Sequence, residues 1–143
     1  MELPVRIKRT SKETPSPEYK TPGAIAFDIA TIEEKELPPG ELVFLRTGLI
    51  VCIPEGYGLI IASRSSTAKK NLVLANGIGI IDQDYCGPED ELKLSVRNVG
   101  RKPYRIEKGE RIAQGLLVPI ARAVFHEVDR VDAQSRGGYG TTG

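Results

Sequence analysis

Apolar and polar residues alternate along much of this chain with the two-residue period of a half-buried β-strand. The clearest case is Glu91 to Asn98, Glu-Leu-Lys-Leu-Ser-Val-Arg-Asn. Leu3 to Arg9 follows the same rule, with Leu3, Val5 and Ile7 set against Pro4, Arg6 and Lys8. Apolar runs predict further strands at Ala24 to Thr31, Leu42 to Leu45, Leu49 to Ile53 and Tyr57 to Ala62. Pro103 to Glu107, Arg111 to Ile120 and Ala121 to Val128 complete the set. Turn residues separate them, as in Leu37-Pro38-Pro39-Gly40, Pro54-Glu55-Gly56 and Lys108-Gly109-Glu110. Short strands at this spacing, with few helical periods, predict an all-β barrel or sandwich.

Three stretches break the pattern. Thr10 to Pro22 is polar with prolines at 15, 17 and 22, and reads as an exposed loop. Ser63 to Asn71 suits a short helix whose first amides and hydroxyls face outward. Such an end attracts anions, and Arg64 adds a bidentate phosphate donor; simple capping, with Arg64 in a structural ion pair, is the plainer alternative. Gln134 to Gly143 is glycine-rich and cannot build a core. It reads either as a disordered end or as a flap whose Tyr139 stacks on a flat ligand while Arg136 and hydroxyls meet phosphates.

Asn76 to Gly87, Asn-Gly-Ile-Gly-Ile-Ile-Asp-Gln-Asp-Tyr-Cys-Gly, carries the strongest chemical signal. Glycines at 77, 79 and 87 bracket Ile78, Ile80 and Ile81, and the run ends on Asp82. A glycine-framed hairpin ending in an acid offers a carboxylate in a fixed place with room for one water, which is what a general base needs. An ordinary polar hairpin turn explains the same residues. Asp28, set among apolar neighbours, either pairs with a cation or marks a strand end, because unpaired burial of a carboxylate is costly.

Composition narrows the chemistry. The chain has 143 residues, 40% of them hydrophobic and 27% charged, which predicts one soluble globular domain. A net charge of +1 argues against a nucleic-acid-binding surface. No apolar stretch reaches the length of a membrane span, and Met-Glu-Leu-Pro lacks a signal-peptide pattern. Two cysteines, Cys52 and Cys86, provide neither a disulfide framework nor a zinc set, and Cys52 reads as a core residue. With His126 as the single histidine, and that on the surface, the chemistry falls to carboxylates, hydroxyls, arginines and backbone amides. A reducing, cytoplasmic setting is expected.

In order along the chain, these pieces resemble the motifs of the homotrimeric dUTPase family (deoxyuridine triphosphate nucleotidohydrolases). Ala24 to Ile29 is similar to its first motif, and Ser63 to Lys70 to its Arg-Ser-Gly-Leu-Ala second motif. Asn76 to Gly87 matches the Gly-x-Ile-Asp-x-Asp-Tyr-x-Gly third. Arg111-Ile112-Ala113-Gln114 matches the fourth, and Gly137 to Gly143 resembles the Gly-Gly-Phe-Gly-Ser-Thr-Gly tail. The resemblance implies a distorted jelly-roll or barrel over residues 1–133, with one short helix, and a mobile flap over 134–143.

It also implies hydrolysis of dUTP to dUMP and diphosphate, which keeps uracil out of DNA and supplies dUMP. Asp82 would activate the water that attacks the α-phosphorus. Asn76 and the backbone of Gly79, Ile80 and Ile81 would read the uracil edge, and Tyr85 would pack beneath the deoxyribose. Arg64, Ser65, Ser66 and Gln114 would hold phosphate oxygens, with Asp28 positioning the arginine. Lys93 would line the nucleoside pocket, though an outward-facing lysine fits equally well. Tyr139 would stack on uracil, Thr141 and Thr142 would lie near the outer phosphates, and Arg136 would reach one of them. Mg²⁺ is expected on the triphosphate, with no dedicated protein cage. The implied assembly is a homotrimer with shared sites, and neither nucleic acid nor membrane is an expected partner.

Several positions depart from the family pattern. Ala26 replaces a glycine, Ser66-Thr67 replaces Gly-Leu, Pro88-Glu89-Asp90 looks inserted, and Arg136 lies later than the usual tail arginine. Two rival readings share the scaffold. One is a dCTP deaminase, against which Ser95 stands near the position of that enzyme's proton-shuttling Glu; the other is a non-catalytic nucleotide-binding or signalling trimer.

Overall fold

The computed structural model describes residues 1–140, in which strands and one short helix follow in the order β1 Arg6–Arg9, β2 Phe27–Ala30, β3 Lys35–Leu37, β4 Leu42–Arg46, β5 Leu49–Cys52 and β6 Tyr57–Ser63. The helix α1, Ser65–Lys69, comes next, then β7 Leu72–Leu74, β8 Gly79–Ile81, β9 Lys93–Asn98, β10 Tyr104–Ile106 and β11 Arg111–Pro119. Every ladder is antiparallel. One sheet runs β2-β11-β6-β8 and another β4-β9-β7, with two-stranded ribbons β1-β5 and β10-β3 beside them. The all-β expectation holds, with α1 where the Ser63 to Asn71 stretch predicts a helix.

Alternation puts the core where the pattern demands. On β9, Leu94 and Val96 point inward while Lys93 and Arg97 face out; on β4, Val43 and Leu45 do the same against Leu42 and Phe44. With Leu59 and Ile61 of β6 and Ile112 and Ala113 of β11 they form one buried cluster. Each fully buried aliphatic side chain contributes about 1.5–3 kcal/mol. Gly115 of β11 lets Phe27 lie across it, since a Cβ there would come within 2.7 Å of the Phe27 ring. Asn98 is buried yet satisfied: its Nδ2 donates to the carbonyls of Leu37 and Lys102, and its Oδ1 accepts from Gly100 N.

Four expectations need correction. The first strand begins only at Arg6, and all four of its residues are exposed, because β5 is its one partner and nothing covers its outer face. Residues 121–128 form no strand, since this chain presents no sheet edge for them to pair with. The Asn76 to Gly87 stretch is not a self-contained hairpin: β8 pairs with β6, so its partner strand precedes α1 and β7. Finally, Cys52 is half-buried and bonded to Cys86, with Cα atoms 5.1 Å apart, so the two cysteines do form a disulfide. The three-residue strands β3 and β7 are too short to show a period and escaped the pattern. No helix among the described residues is long and apolar enough to cross a membrane.

Candidate active site

Two groups of polar residues meet on the sheet that contains β6. The first lies where β6 runs into α1. Asp28 of β2 stands opposite Gln114 of β11, which in turn stands opposite Ala62 of β6. That register brings the Asp28 carboxylate, 12% exposed, beside two guanidinium groups. Arg64 donates to it through Nε at 2.7 Å, and Arg111 through Nη1 at 2.9 Å. Arg64 Nη1 also donates to Ser66 Oγ and to the carbonyl of Arg111, both at 3.2 Å. Among the described residues Nη2 of Arg64 has no partner, which leaves a donor edge for an outside oxygen. Gln114 answers its own burial by donating from Nε2 to the Ser63 carbonyl at 3.0 Å.

Thr67 fixes this corner. Its hydroxyl, in a residue 1% exposed, donates to the Ile112 carbonyl at 2.8 Å and accepts from the Arg64 backbone N–H at 3.2 Å. The threonine that replaces the family's leucine therefore ties the start of α1 to β11 and sets where Arg64 leaves the backbone. Ser65 and Ser66 open the helix beside it.

The second group surrounds β8. Asn76 follows β7, and its place is set by Ala75 N–H donating to the Ser95 carbonyl at 2.8 Å. Ser95 Oγ donates to Asn76 Oδ1 at 3.1 Å. Asn76, Gly79, Ile80, Ile81, Lys93 and Ser95 line a cleft of about 120 Å³. Pockets for drug-sized ligands run to about 300–1,000 Å³, so this one suits a single flat ring and no more.

Asp82 leaves β8 at the edge of that cleft, exposed to solvent. The loop after it is held at several points. Its Tyr85 N–H donates back to the Asp82 carbonyl at 3.2 Å, and Gln83 Nε2 donates to the Tyr57 carbonyl at 2.9 Å. Tyr85 is 37% exposed and anchors its hydroxyl on the Glu91 carbonyl at 2.9 Å, so the ring stands fixed with part of its surface open. The Cys86–Cys52 disulfide fastens the loop to β5. Asp90 accepts from Gly87 N–H at 2.6 Å, and the buried Glu91 accepts from Arg46 and from Gly48 N–H. The apparent insertion Pro88-Glu89-Asp90 thus supplies a cap for the loop.

The structure thus gathers Asp28, Arg64, Ser65, Ser66 and Gln114 at one corner, and Asn76, Gly79, Ile80, Ile81 and Lys93 at the cleft, with Asp82 and Tyr85 on the adjoining loop. Among the described residues no hydrogen bond or ion pair joins the two groups. Arg136 and Tyr139 lie on the exposed segment after β11, and Thr141 and Thr142 fall outside the described residues. His126 is exposed, as expected of a surface residue. Pattern reading gave no role to Thr67, Arg111 or the cysteine pair. Each acts through a partner 34 or more residues away, which no local spacing signals. The largest cavity, about 660 Å³, lies elsewhere, lined by Leu3, Val5, Ile25, Phe27, Val51 and Leu117 among others, and contains none of these residues.

Residues 12–143 match the family model for dUTPase. A deoxyuridine 5'-triphosphate nucleotidohydrolase of Desulfitobacterium hafniense is 37% identical over 149 residues, covering 100% of this chain and 97% of its own. One from Acinetobacter baumannii is 40% identical over 141 residues, covering 94% and 92%. Among solved structures, the dUTPase of Staphylococcus bacteriophage 80alpha with dUPNHPP superposes with a TM-score of 0.88 at 29% identity, covering 99% of both chains. The dUTPase from phage phi11 of S. aureus, whose structure details a structural Mg(II) ion, shares the fold with a TM-score of 0.81 at 24% identity, covering 90% of this chain and 98% of that one.

Proposed function

This chain belongs to the dUTPase family, and on that premise we propose that it hydrolyses dUTP to dUMP and diphosphate with Asp82 as the general base. The observation that carries the assignment is the loop from Asp82 to Gly87. Hydrogen bonds and a disulfide hold it in place, and it presents an open carboxylate at the mouth of a cleft the size of one ring.

Uracil enters the cleft against Asn76 and the backbone of Gly79 to Ile81, with Lys93 along its wall. The Tyr85 ring supports the deoxyribose. Asp82 accepts a proton from water, whose oxygen bonds to the α-phosphorus as the bond to the bridging oxygen breaks and diphosphate departs. Hydrolysis of a triphosphate needs charge neutralisation and an aligned water more than a covalent nucleophile. Arg64, steadied by Asp28, and the hydroxyls of Ser65 and Ser66 supply donors for phosphate oxygens, with Gln114 beside them.

The donors of that corner are guanidinium and hydroxyl groups, which suit phosphate oxygens, and no three His, Cys, Asp or Glu side chains converge among the described residues. Mg²⁺ therefore fits on the triphosphate itself, where it would neutralise charge while keeping waters as ligands.

A homotrimer completes the reading. Val124, Phe125, Val128 and Val131 stand exposed on the extended segment after β11, more apolar surface than a lone chain would leave in water. Residues 121–128, without a sheet edge in their own chain, would find one on a neighbour. Arg136, Tyr139, Thr141 and Thr142 would then close over a site as the flap of 134–143. The enzyme would act in the cytoplasm, where nucleotide pools lie, and a reducing setting there would open the Cys52–Cys86 bond.

The deaminase and non-catalytic alternatives are not favoured: a serine stands where deamination would need a carboxylate, and the dUTPase match runs through the tail. Diphosphate release measured across the dNTPs and UTP, with and without Mg²⁺, tests the function. Turnover is expected with dUTP, and ammonia release from dCTP would overturn the assignment. Asp82→Asn should fold, bind dUPNHPP, and lose about 10²–10⁴-fold in kcat; wild-type turnover would remove Asp82 as the base.

A further inference from the structure

We propose that Ser95 is a positioning residue for base selection, turning the Asn76 amide so that its nitrogen, and not its oxygen, faces the base. The inference rests on the reading of the β8 cleft as the uracil site.

An asparagine amide has nearly the same shape in its two orientations and opposite hydrogen-bonding character in each. Something must choose between them. The backbone around Asn76 is already fixed, by Ala75 N–H on the Ser95 carbonyl and by Gly77 N–H on the Leu74 carbonyl, both within 3.0 Å. What remains is rotation of the side chain. Among the described residues its one hydrogen-bond partner is Ser95, whose hydroxyl donates to Oδ1 at 3.1 Å. Ser95 points to the same side of β9 as Lys93, two residues before it, and both line the cleft.

With Oδ1 held by Ser95, Nδ2 turns towards Gly79. A Cβ at Gly79 would lie 3.7 Å from Nδ2 and 3.3 Å from the Cβ of Ile61, filling the space in front of the amide. Glycine leaves that space for a ligand. The cleft therefore presents an N–H donor. Uracil carries a carbonyl acceptor at the ring position where cytosine carries an amino donor. An amide nitrogen facing that position pairs with uracil and opposes cytosine; an amide oxygen would do the reverse. Sites built to hydrogen-bond a particular group discriminate best when the wrong partner leaves a buried group unpaired. Ser95 holds the orientation that favours uracil, two strands away from the base that performs hydrolysis.

The test compares kcat/KM for dUTP and dCTP in the wild type, Ser95→Ala and Ser95→Thr, with dCTP also scored as a competitive inhibitor. Ser95→Ala should raise KM for dUTP, leave kcat within about threefold, and lower the preference for dUTP over dCTP by about tenfold, the worth of one hydrogen bond. Ser95→Thr, which keeps the hydroxyl, should restore the preference. An unchanged preference in Ser95→Ala, or equal losses in both variants, overturns the proposal while dUTP turnover in the wild type stands. Absence of dUTP turnover in the wild type overturns the function beneath it as well.

Discussion

Arg64 donates from Nε to the Asp28 carboxylate at 2.7 Å, across 36 residues of sequence and between two different strands of one sheet. Arg111 binds the other oxygen of the same carboxylate at 2.9 Å. One acid therefore aims two cations that would otherwise repel each other. Asp28→Asn keeps the shape and removes the charge that holds them. Because Arg111 is half exposed, the loss of stability should be about 1–3 kcal/mol, below that of a fully buried pair. Urea unfolding would measure it. Steady-state kinetics should show kcat/KM for dUTP lowered about 10–100-fold, mainly through KM.

Thr67 makes a second prediction that kinetics and stability share. Thr67→Val leaves the Ile112 carbonyl and the Arg64 N–H without a partner inside the protein. The cost should be about 1–3 kcal/mol in denaturant unfolding, with a smaller loss for Thr67→Ser, which keeps the hydroxyl. KM for dUTP should rise with it, because Arg64 leaves the chain from the N–H that Thr67 holds.

The Cys52–Cys86 bond closes a loop of 34 residues and ends on the segment that carries Asp82. Loss of such a cross-link destabilises by about 2–4 kcal/mol, which for a chain of this size lowers Tm by about 5–15 °C. Thermal unfolding with and without a dithiol reductant checks this. The double variant Cys52→Ser/Cys86→Ser should unfold at the reduced protein's temperature and ignore the reductant.

Away from the site, Glu110 accepts from Lys70 and Tyr104, joining β10, β11 and the end of α1. Burial pushes the Glu110 carboxyl up, but the Glu107 backbone N–H, Lys70 and Tyr104 together outweigh it and leave its pKa below the ordinary 4.5. Its folded value lies under its unfolded one, so its contribution is present above about pH 4.5 and is lost as pH falls through the folded value. Tyr104 moves the other way: burial first, then Glu110, pushes it up to about 12. That contribution is present below pH 10 and lost as pH rises towards 12. Unfolding curves against pH should show Glu110→Gln flattening the acid limb. Tyr104→Phe should remove one late step from the tyrosinate absorbance titration.

Much of the site was legible before any coordinates. The glycine-framed run into Asp82, the serines after Arg64 and the lone glutamine in β11 all announced polar chemistry in an apolar frame. Less visible were the partners. Asp28 left open whether it would pair, and nothing local named Arg64 or Arg111. The cysteines read as separate residues because their spacing fits no known ligand pattern. Residues 121–128 alternate like a strand, yet a strand forms only beside an edge, and this chain offers none.

The sequence by itself determined the strands, the faces they bury and the order of the polar motifs, since these follow from a two-residue period and turn chemistry within a few residues. Only the tertiary structure decided that Asp28 holds Arg64 and Arg111, that Cys86 bonds Cys52, and that Ser95 turns Asn76. Those pairs span 36, 83, 34 and 19 residues. They depend on which strand lies beside which and in what register, and a shift of one residue would send each side chain to the opposite face.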